Sequence, residues 1–381
     1  MTEKLYDLDA ALMTFDATVR ACTPKGEYYE VLLDKTAFFP CEGGQGADHG
    51  RIGDATVLDA RLVGDEILHI TDRPLAVGDH LSCALDTDRR LRHMQIHTAE
   101  HILSGVLHGM YGATNVGFHL GDTEVTLDLD LPLTEAEVAA AEEAANVAIR
   151  RNLPVRVLWP RPEELPALDY RAKLALTEGV RLVEIAGVDL CACCAPHVSM
   201  TGECGLLKVT GYMHYKGGVR LHIVAGADAL DDYREKQTEV HAVSVALSVK
   251  EGEISAGVNR LLDALAEERR TLSEVRATLR RERLAAASGK RDVVVSYPDL
   301  DAAALRPYAE DGAALCEGIA LILLPEGGGC RYALASRTED VKALSASLHA
   351  TLGGRGGGKP SLTQGSFPVS VDAVIACLGR E

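Results

Sequence analysis

The sequence is poor in aromatic residues and in positive charge. Only 4% of its 381 residues are aromatic, and 39 Lys and Arg face 56 Asp and Glu, which gives a net charge of −17. A balance this acidic argues against broad, non-specific attraction to nucleic acid, although local basic patches can still bind phosphates. Because 47% of the residues are apolar, we expect a globular chain of two or three domains.

The sequence also lacks a long apolar run and a secretory signal. The apolar run at 318–325 is much shorter than the ~20 residues that a membrane helix needs. The N-terminus carries acidic residues where a signal peptide would carry basic ones. Ten cysteines without regular spacing do not indicate a disulfide framework. We therefore predict a cytoplasmic protein with reduced thiols and no membrane span.

Two histidines lie one helical turn apart in the segment RHMQIHTAEHILSG, residues 92–105. The apolar spacing of this segment predicts a helix, which places the imidazoles of His97 and His101 on one face. Two imidazoles so placed supply half of a tetrahedral metal site. An HxxxH pair alone is a weak signal, because motif matches also occur by chance.

The second half of a metal site is predicted in the cysteine-rich run DLCACCAPH, residues 189–197. Cys193 and His197 are again four residues apart, and the proline between them excludes a regular helix, so a turn can direct both side chains inward. Thiolate and imidazole are ligands that Zn²⁺ selects, and the two segments together predict a zinc site. Cys191 and Cys194 remain alternatives, either as ligands or as small buried apolar residues.

Short β-type runs separated by Gly, Pro and Asp turns fill residues 1–90 and predict a small antiparallel barrel or meander. Within it, the stretch TAFFPCEGGQGADHG at 36–50 is rich in glycine. Glycines there allow a close backbone approach to a ligand, with Gln45 as a neutral donor and acceptor. A plain hairpin loop is the alternative.

The predicted fold class is α+β. Residues 91–230 combine helices with a largely antiparallel sheet, and Thr134 and Glu137 form a predicted capping box. Residues 231–288 predict a helical hairpin or short coiled coil, because leucines recur at roughly heptad spacing. Residues 289–381 predict a compact α/β domain. Its glycine run, GGRGGGKPSLTQGS, lacks the GxxxxGK[ST] arrangement of an ATP-binding loop.

In their order along the chain, these motifs resemble those of the alanyl-tRNA editing family, free-standing relatives of the editing domain of alanyl-tRNA synthetase, in its long form. The resemblance covers nearly the whole chain and rests on FFPCEGGQGADHG, HTAEHILSG, NVGFHLG, the CxxxH turn with VSMTGECG, and GGRGGGKPSLTQGS. It implies a C-terminal domain like the tail of alanyl-tRNA synthetase, of the type named for its association with DHH phosphoesterases. The sequence has no DHH motif among aspartates, so we expect no phosphoesterase chemistry.

The resemblance also implies a ligand set and a reaction. The CGGTH-type motif of the family aligns with Cys193 and His197, which join His97 and His101 as the expected zinc ligands. Between the first two, this chain has CAP where the commoner family form has GGT. The implied reaction is hydrolysis of the ester that joins serine or glycine to tRNA(Ala), and no aminoacylation domain is expected.

Several residues are candidates for acting on the substrate. Glu100 could orient a ligand or a water as a general base. Thr36 and Gln45 are candidates for reading the hydroxyl of serine, because a polar pocket leaves buried donors unpaired when alanine enters. Three basic residues are candidates for holding tRNA phosphates: Lys208, Lys216 and Arg220.

Two other functions fit part of the same sequence. A different zinc-dependent hydrolase could use the same helix, but HTAEH lacks the glutamate that HExxH places beside its first histidine. A non-catalytic tRNA-binding or assembly module with a structural zinc is the other alternative, because a metal held by four protein ligands organises a site rather than activating a water. We also expect a homodimer through the helical or C-terminal region.

Overall fold

The computed structural model describes residues 1–172, 179–286 and 289–379. The chain divides into two units, Met1–Val243 and Ser244–Glu381. Both units mix helices with strands, so the predicted α+β class is confirmed. The finer division into four domains stays a prediction.

Seven α-helices occur in the described residues. They are α1 (Thr87–Tyr111), α2 (Glu135–Arg150), α3 (Ala227–Leu247), α4 (Ile254–Ala285), α5 (Leu305–Ala313), α6 (Val341–Leu352) and α7 (Val371–Leu378). Helix α1 begins after Asp86, whose side chain accepts a hydrogen bond from the Arg89 amide, and ends at Gly112 in the left-handed conformation. Helix α2 begins with the predicted capping box of Thr134 and Glu137, which is confirmed. None of the helices in these residues is long and apolar enough to cross a membrane.

The described strands of the first unit form four sheets. They are β1 (Glu3–Lys4), β2 (Thr14–Lys25), β3 (Tyr28–Leu33), β4 (Lys35–Thr36), β5 (Gly50–Ile52), β6 (Ala55–Val63), β7 (Glu66–Thr71), β8 (His80–Leu85), β9 (Asn115–Leu120), β10 (Val125–Leu129), β11 (Val155–Leu158), β12 (Leu182–Ile185), β13 (Asp189–Ala192), β14 (Leu207–Tyr215) and β15 (Gly218–Ala225). Strands β2, β3, β7, β6, β5 and β8 close into a barrel in that order. A four-stranded antiparallel sheet has the order β14-β15-β10-β9, and β11-β12-β13 form a smaller one. The short strands β1 and β4 pair in parallel.

Strand β2 (Thr14–Lys25) is the longest strand of the barrel and carries little signal of a strand in its sequence. Along β2 only Ala17 and Val19 are buried, so the strand shows little of the apolar alternation that marks a half-buried strand.

The core of the first unit places one face of α1 against the four-stranded sheet. Ile96, Leu103 and Leu107 of the helix and Leu127 and Leu221 of the sheet are all fully buried in one cluster. Each side chain of this size contributes about 1.5–3 kcal/mol when it leaves water. This packing fixes the rotation of α1 and therefore the direction in which its histidines point.

Close contact between α1 and the loop before β13 depends on Gly105. A Cβ atom at this position would lie 2.4 Å from the carbonyl oxygen of Val188 and 2.7 Å from the Cβ of Asp189. Such distances are shorter than atoms tolerate, so only glycine allows the helix and the loop to touch here. The contact brings the cysteine-bearing strand to the histidine face of α1.

The second unit is built on one five-stranded sheet. Its strands are β16 (Val293–Ser296), β17 (Ile319–Glu326), β18 (Gly329–Ser336), β19 (Arg355–Lys359) and β20 (Leu362–Phe367), in the order β16-β17-β18-β20-β19. The first pair is parallel and the others are antiparallel. The glycine run forms the hairpin of β19 and β20. The heptad leucines of α4 are exposed in the described residues, so the coiled coil stays a prediction.

Replacing Gly105 by Ala should separate α1 from the loop before β13. We expect a loss of about 1–3 kcal/mol in the free energy of unfolding, as for other overpacked sites, measured by chemical denaturation. Gly109→Ala is the matched control, because it lies in the same helix with no atom within 4 Å of its added Cβ. Alanine there should stabilise α1 by about 0.5–1 kcal/mol. Equal stability of the two variants would contradict the close-contact argument.

Candidate functional site

Four side chains from two distant segments meet at one point. His97 and His101 come from α1, and Cys193 and His197 lie just after β13. Their ligand atoms all lie within 4.8 Å of one another. The three histidines are buried and the cysteine is half-buried. The structure thus brings together the four residues that the HxxxH and CxxxH spacings pointed to.

Each imidazole of this cluster is held at its Nδ1 atom by a neighbouring side chain. The distances are 2.8 Å from His97 to Gln45 Oε1, 3.0 Å from His101 to Asp189 Oδ2, and 3.0 Å from His197 to Thr98 Oγ1. A ring that donates its Nδ1 proton leaves a lone pair on Nε2, which is the form in which histidine binds a metal. All three rings are therefore oriented and prepared in the same way.

The free ring nitrogens converge on the sulfur of Cys193. The Nε2 atoms of His97 and His197 lie 3.6 Å and 3.4 Å from its Sγ atom. Burial raises the pKa of the Cys193 thiol, but its electrostatic interaction with His97 and His197 and a hydrogen bond to His101 lower this pKa well below its usual value. A lowered pKa favours the thiolate, which is the form that ligates metals.

Arg181 holds the backbone of the turn that carries Cys193. Its Nη1 atom donates to the carbonyl oxygens of Cys193, at 2.8 Å, and of Ala195, at 3.0 Å. Arg181 is buried and also forms an ion pair with Asp7. These bonds fix the CAP sequence of the turn, which departs from the commoner family form.

The glycine-rich stretch delivers Gln45 to His97. Gly44 has φ of +84°, and a Cβ on it would lie 2.2 Å from the carbonyl oxygen of Phe118, so only glycine fits. Its own carbonyl accepts a 2.7 Å hydrogen bond from the Leu120 amide, which ties the loop to β9. Glycine at position 44 was expected to allow close approach of a ligand. The structure shows that it allows close approach of β9 instead.

Asp189 anchors His101 and, like Thr98, was not predicted as a site residue from the sequence. It accepts hydrogen bonds from Arg171 Nε at 2.7 Å and Nη2 at 2.9 Å, besides the one from His101. Burial raises the pKa of Asp189, but the hydrogen bonds from His101 and Arg171 lower it below its usual value. A carboxylate behind a ligating histidine raises the basicity of the ring. In the sequence, only its position at the start of the DLCACC run links Asp189 to the predicted metal site.

The other two cysteines of the run differ in their surroundings. Cys191 forms a second group with His101 and Asp189, but this carboxylate is already engaged by Arg171. Cys194 belongs to neither group in the described residues, and burial raises the pKa of its thiol to about 12. Cys194 is half-buried and lines the same cavity as the cluster without belonging to it.

A cavity of about 1110 Å³ lies beside the cluster, with His97, His101 and Cys193 in its wall. Pockets of this size hold drug-sized ligands. Glu100 lies in the same wall, although its side chain is only 3% exposed. Trp159 and Tyr170 also line the cavity.

The structure places the two predicted hydroxyl readers in different surroundings. Thr36 is fully buried in the barrel, where its hydroxyl lies 2.8 Å from His69 Nε2 and accepts a hydrogen bond from the Phe38 amide. It is not among the residues that line the described cavity. Gln45 holds His97, and its Nε2 atom is buried without a partner in the described chain. Both reading roles stay predictions.

The three predicted phosphate-binding residues lie on β14, β15 and the turn between them. Lys208 forms a 2.5 Å ion pair with Glu142, and Arg220 binds Asp128 through two bonds of 2.6 Å and 2.7 Å. Lys216 lies in the turn with φ of +48°. None of the three lines the described cavity. Their role in binding phosphates stays a prediction.

Comparisons with known proteins agree with this site. Residues 180–261 match the family described as Threonyl and Alanyl tRNA synthetase second additional domain. The alanyl-tRNA editing protein AlaX-M of Methanosarcina mazei is 36% identical over 230 residues, which are 55% of this chain and 90% of that protein. The alanyl-tRNA editing protein Aarsd1 of Mus musculus is 32% identical over 229 residues, 54% of each chain. The alanine–tRNA ligase of Ignicoccus hospitalis is 32% identical over 346 residues, 86% of this chain and 38% of the ligase.

These likenesses first define a class, the homologues of the editing domain of alanyl-tRNA synthetase. Within that class, the chain belongs to the alanyl-tRNA editing family. It spans about two fifths of the length of the alanine–tRNA ligases that it matches. The C-Ala domain from Aquifex aeolicus alanyl-tRNA synthetase matches 24% of this chain and 89% of that domain at 16% identity, with a TM-score of 0.22.

Replacing Asp189 by Asn should weaken metal binding, because His101 loses the carboxylate that orients it. Losing such a partner typically costs 10–100-fold in metal affinity. The affinity is measured by competition with a chromophoric chelator, and thermal unfolding checks that the variant folds. Asp169→Asn is the matched control, since Asp169 lines the same cavity and is exposed. Unchanged affinity in the Asp189 variant would show that this carboxylate does not support the site.

Proposed function

We propose that this protein is a zinc-dependent deacylase that hydrolyses the ester between serine or glycine and tRNA(Ala). The observation that carries the proposal is the convergence of three Nδ1-anchored imidazoles and the Cys193 sulfur beside a large cavity, whose wall includes His97, His101 and Cys193. Membership of the alanyl-tRNA editing family supports the choice of substrate. The alternative zinc hydrolases lack this support.

The residues present fit Zn²⁺. Three imidazole nitrogens and one thiolate form a donor set that zinc prefers, and a tetrahedral site needs four ligands. When bound, Zn²⁺ would supply a fixed positive charge beside the cavity, which favours negative charge that develops on a nearby carbonyl oxygen. Asp189, Gln45 and Thr98 hold the three rings in place, so the chain itself supplies the orientation.

Discrimination against alanine needs a polar contact that alanine cannot make. A buried donor that pairs with the serine hydroxyl is left unpaired by alanine, which costs more than a difference in apolar volume. The partnerless Nε2 atom of Gln45 is a donor of this kind. We propose that Gln45 reads the serine hydroxyl, together with Thr36.

The body of the tRNA needs a larger surface than the cavity. We propose that Lys208, Lys216 and Arg220, together with the C-terminal unit, contact the tRNA, and that the four predicted domains act as functional parts of one cytoplasmic enzyme. Two of these side chains form ion pairs with acidic neighbours. Phosphates would therefore have to replace carboxylates as their partners.

Replacing Cys193 by Ala should abolish bound zinc and deacylation together, because the site loses its thiolate. Zinc is measured by elemental analysis of the purified, reduced protein. Hydrolysis of Ser-tRNA(Ala) is followed with Ala-tRNA(Ala) as the control substrate. Cys194→Ala is the matched control and should keep both zinc and activity, because Cys194 lies outside the ligand group.

Two results would contradict this proposal. Activity in the Cys193 variant without metal would remove the zinc mechanism. A wild-type protein that holds zinc but hydrolyses neither Ser-tRNA(Ala) nor Gly-tRNA(Ala) would favour the structural-zinc module.

The proposed reading role of Thr36 requires that Thr36→Val slow the hydrolysis of Ser-tRNA(Ala) more than that of Gly-tRNA(Ala). Valine keeps the volume of the side chain but removes the hydroxyl that contacts His69. The ratio of the two values of kcat/KM is the readout, and thermal unfolding measures any structural cost. An equal loss for both substrates would assign Thr36 to the barrel core instead.

A further inference from the structure

A carboxylate that the metal site does not use lies in the same cavity wall. Glu100 is three residues after His97 and directly before His101, so on α1 it neighbours both predicted ligands. Its Oε1 atom accepts a 2.7 Å hydrogen bond from Asn115 Nδ2 and another from the Ser104 hydroxyl. All of its hydrogen bonds in the described residues go to this one oxygen, which leaves Oε2 without a donor.

Asn115 adds a second acceptor without a donor. The residue is only 8% exposed and lines the cavity. Its amide nitrogen is used by Glu100, while its Oδ1 atom is buried with no partner in the described chain. Buried carbonyl oxygens are rarely left unpaired, because the missing hydrogen bond costs about 1–3 kcal/mol.

No cation of the described residues pairs directly with the Glu100 carboxyl group. Arg171, a cation in the same wall, is engaged by Asp189. A buried carboxylate without a cation is costly unless a ligand supplies one. Two acceptor oxygens and one negative charge together suit a ligand that carries a positively charged N–H donor.

We infer that Glu100 and Asn115 form the subsite for the α-ammonium group of an aminoacyl ester. This inference rests on the proposed function and adds a substrate class to it. In an aminoacyl ester, the ammonium nitrogen and the carbonyl are attached to the same carbon. An ammonium bound at Glu100 therefore directs the carbonyl toward the neighbouring His97 and His101.

The subsite makes Glu100 a specificity-determining residue. It selects esters with a free α-amino group over esters whose nitrogen is acylated, because an amide nitrogen has no positive charge and fewer protons to donate. This selection is independent of reading the serine hydroxyl. It also differs from a general-base role, which would act on free and blocked esters alike.

The first experiment compares kcat/KM for Ser-tRNA(Ala) and for N-acetyl-Ser-tRNA(Ala). The wild-type protein should prefer the free ester by about tenfold or more, as expected for a hydrogen bond to a charged group. Glu100→Gln keeps the shape of the side chain and should lose this preference by slowing the free ester alone. Asn115→Ala should lose part of it. Glu42→Gln removes another carboxylate of the same cavity and should keep the wild-type preference.

The second experiment measures binding without turnover. The probes are a stable amide analogue of seryl-adenosine and its N-acetylated form. Trp159 is the one tryptophan of the chain and lines the same cavity, so its fluorescence reports occupancy, with calorimetry as a check. The wild-type protein should bind the free amine about tenfold or more tightly than the blocked form. Glu100→Gln should bind both equally.

Several outcomes would overturn the inference. The wild-type protein could show the same kcat/KM and the same affinity for free and N-acetylated compounds. Glu100→Gln could keep the wild-type preference for the free ester. Glu100→Gln could also lower kcat/KM for both esters by the same factor. The last result would assign Glu100 to proton transfer. If the wild-type protein hydrolyses neither ester, the proposed function fails, while the binding experiment still decides the ammonium subsite.

Discussion

The hydrogen bond between His101 and Asp189 joins the two segments on which the site depends. It connects α1 to the first residue of β13, 88 positions further along the chain. Arg171 holds the carboxylate from behind, and the absence of a side chain at Gly105 lets the helix and the loop touch. The rest of the cluster follows from this contact, because Cys193 and His197 lie only four and eight residues beyond Asp189.

Local patterns predicted much of the fold and the four clustered residues, because spacing along one helix or one turn determines which side chains share a face. The bounds of β6 and β7 follow from alternation, and the capping box of α2 from its own four residues. Asp189, Thr98 and Asn115 escaped prediction as site residues because their roles come from contacts between distant segments. A hydrogen bond across many residues leaves no periodic trace in the sequence.

Several basic residues of this acidic chain form ion pairs with nearby carboxylates. Lys208 and Arg220 each neutralise a carboxylate on a neighbouring element, and Arg171 and Arg181 hold the walls of the cavity. In this structure these four basic residues are therefore all engaged by acidic neighbours. The cavity wall itself is left with a carboxylate, Glu100, that no cation of the described chain pairs.

The three tethers of the imidazoles come from three separate parts of the first unit. Gln45 belongs to the loop of the barrel, Thr98 to α1, and Asp189 to the small sheet. The cluster can therefore assemble only when all three parts have docked. Under the proposed function, a chain in which one of these parts has not folded would present an imidazole without its Nδ1 partner and therefore without a fixed orientation.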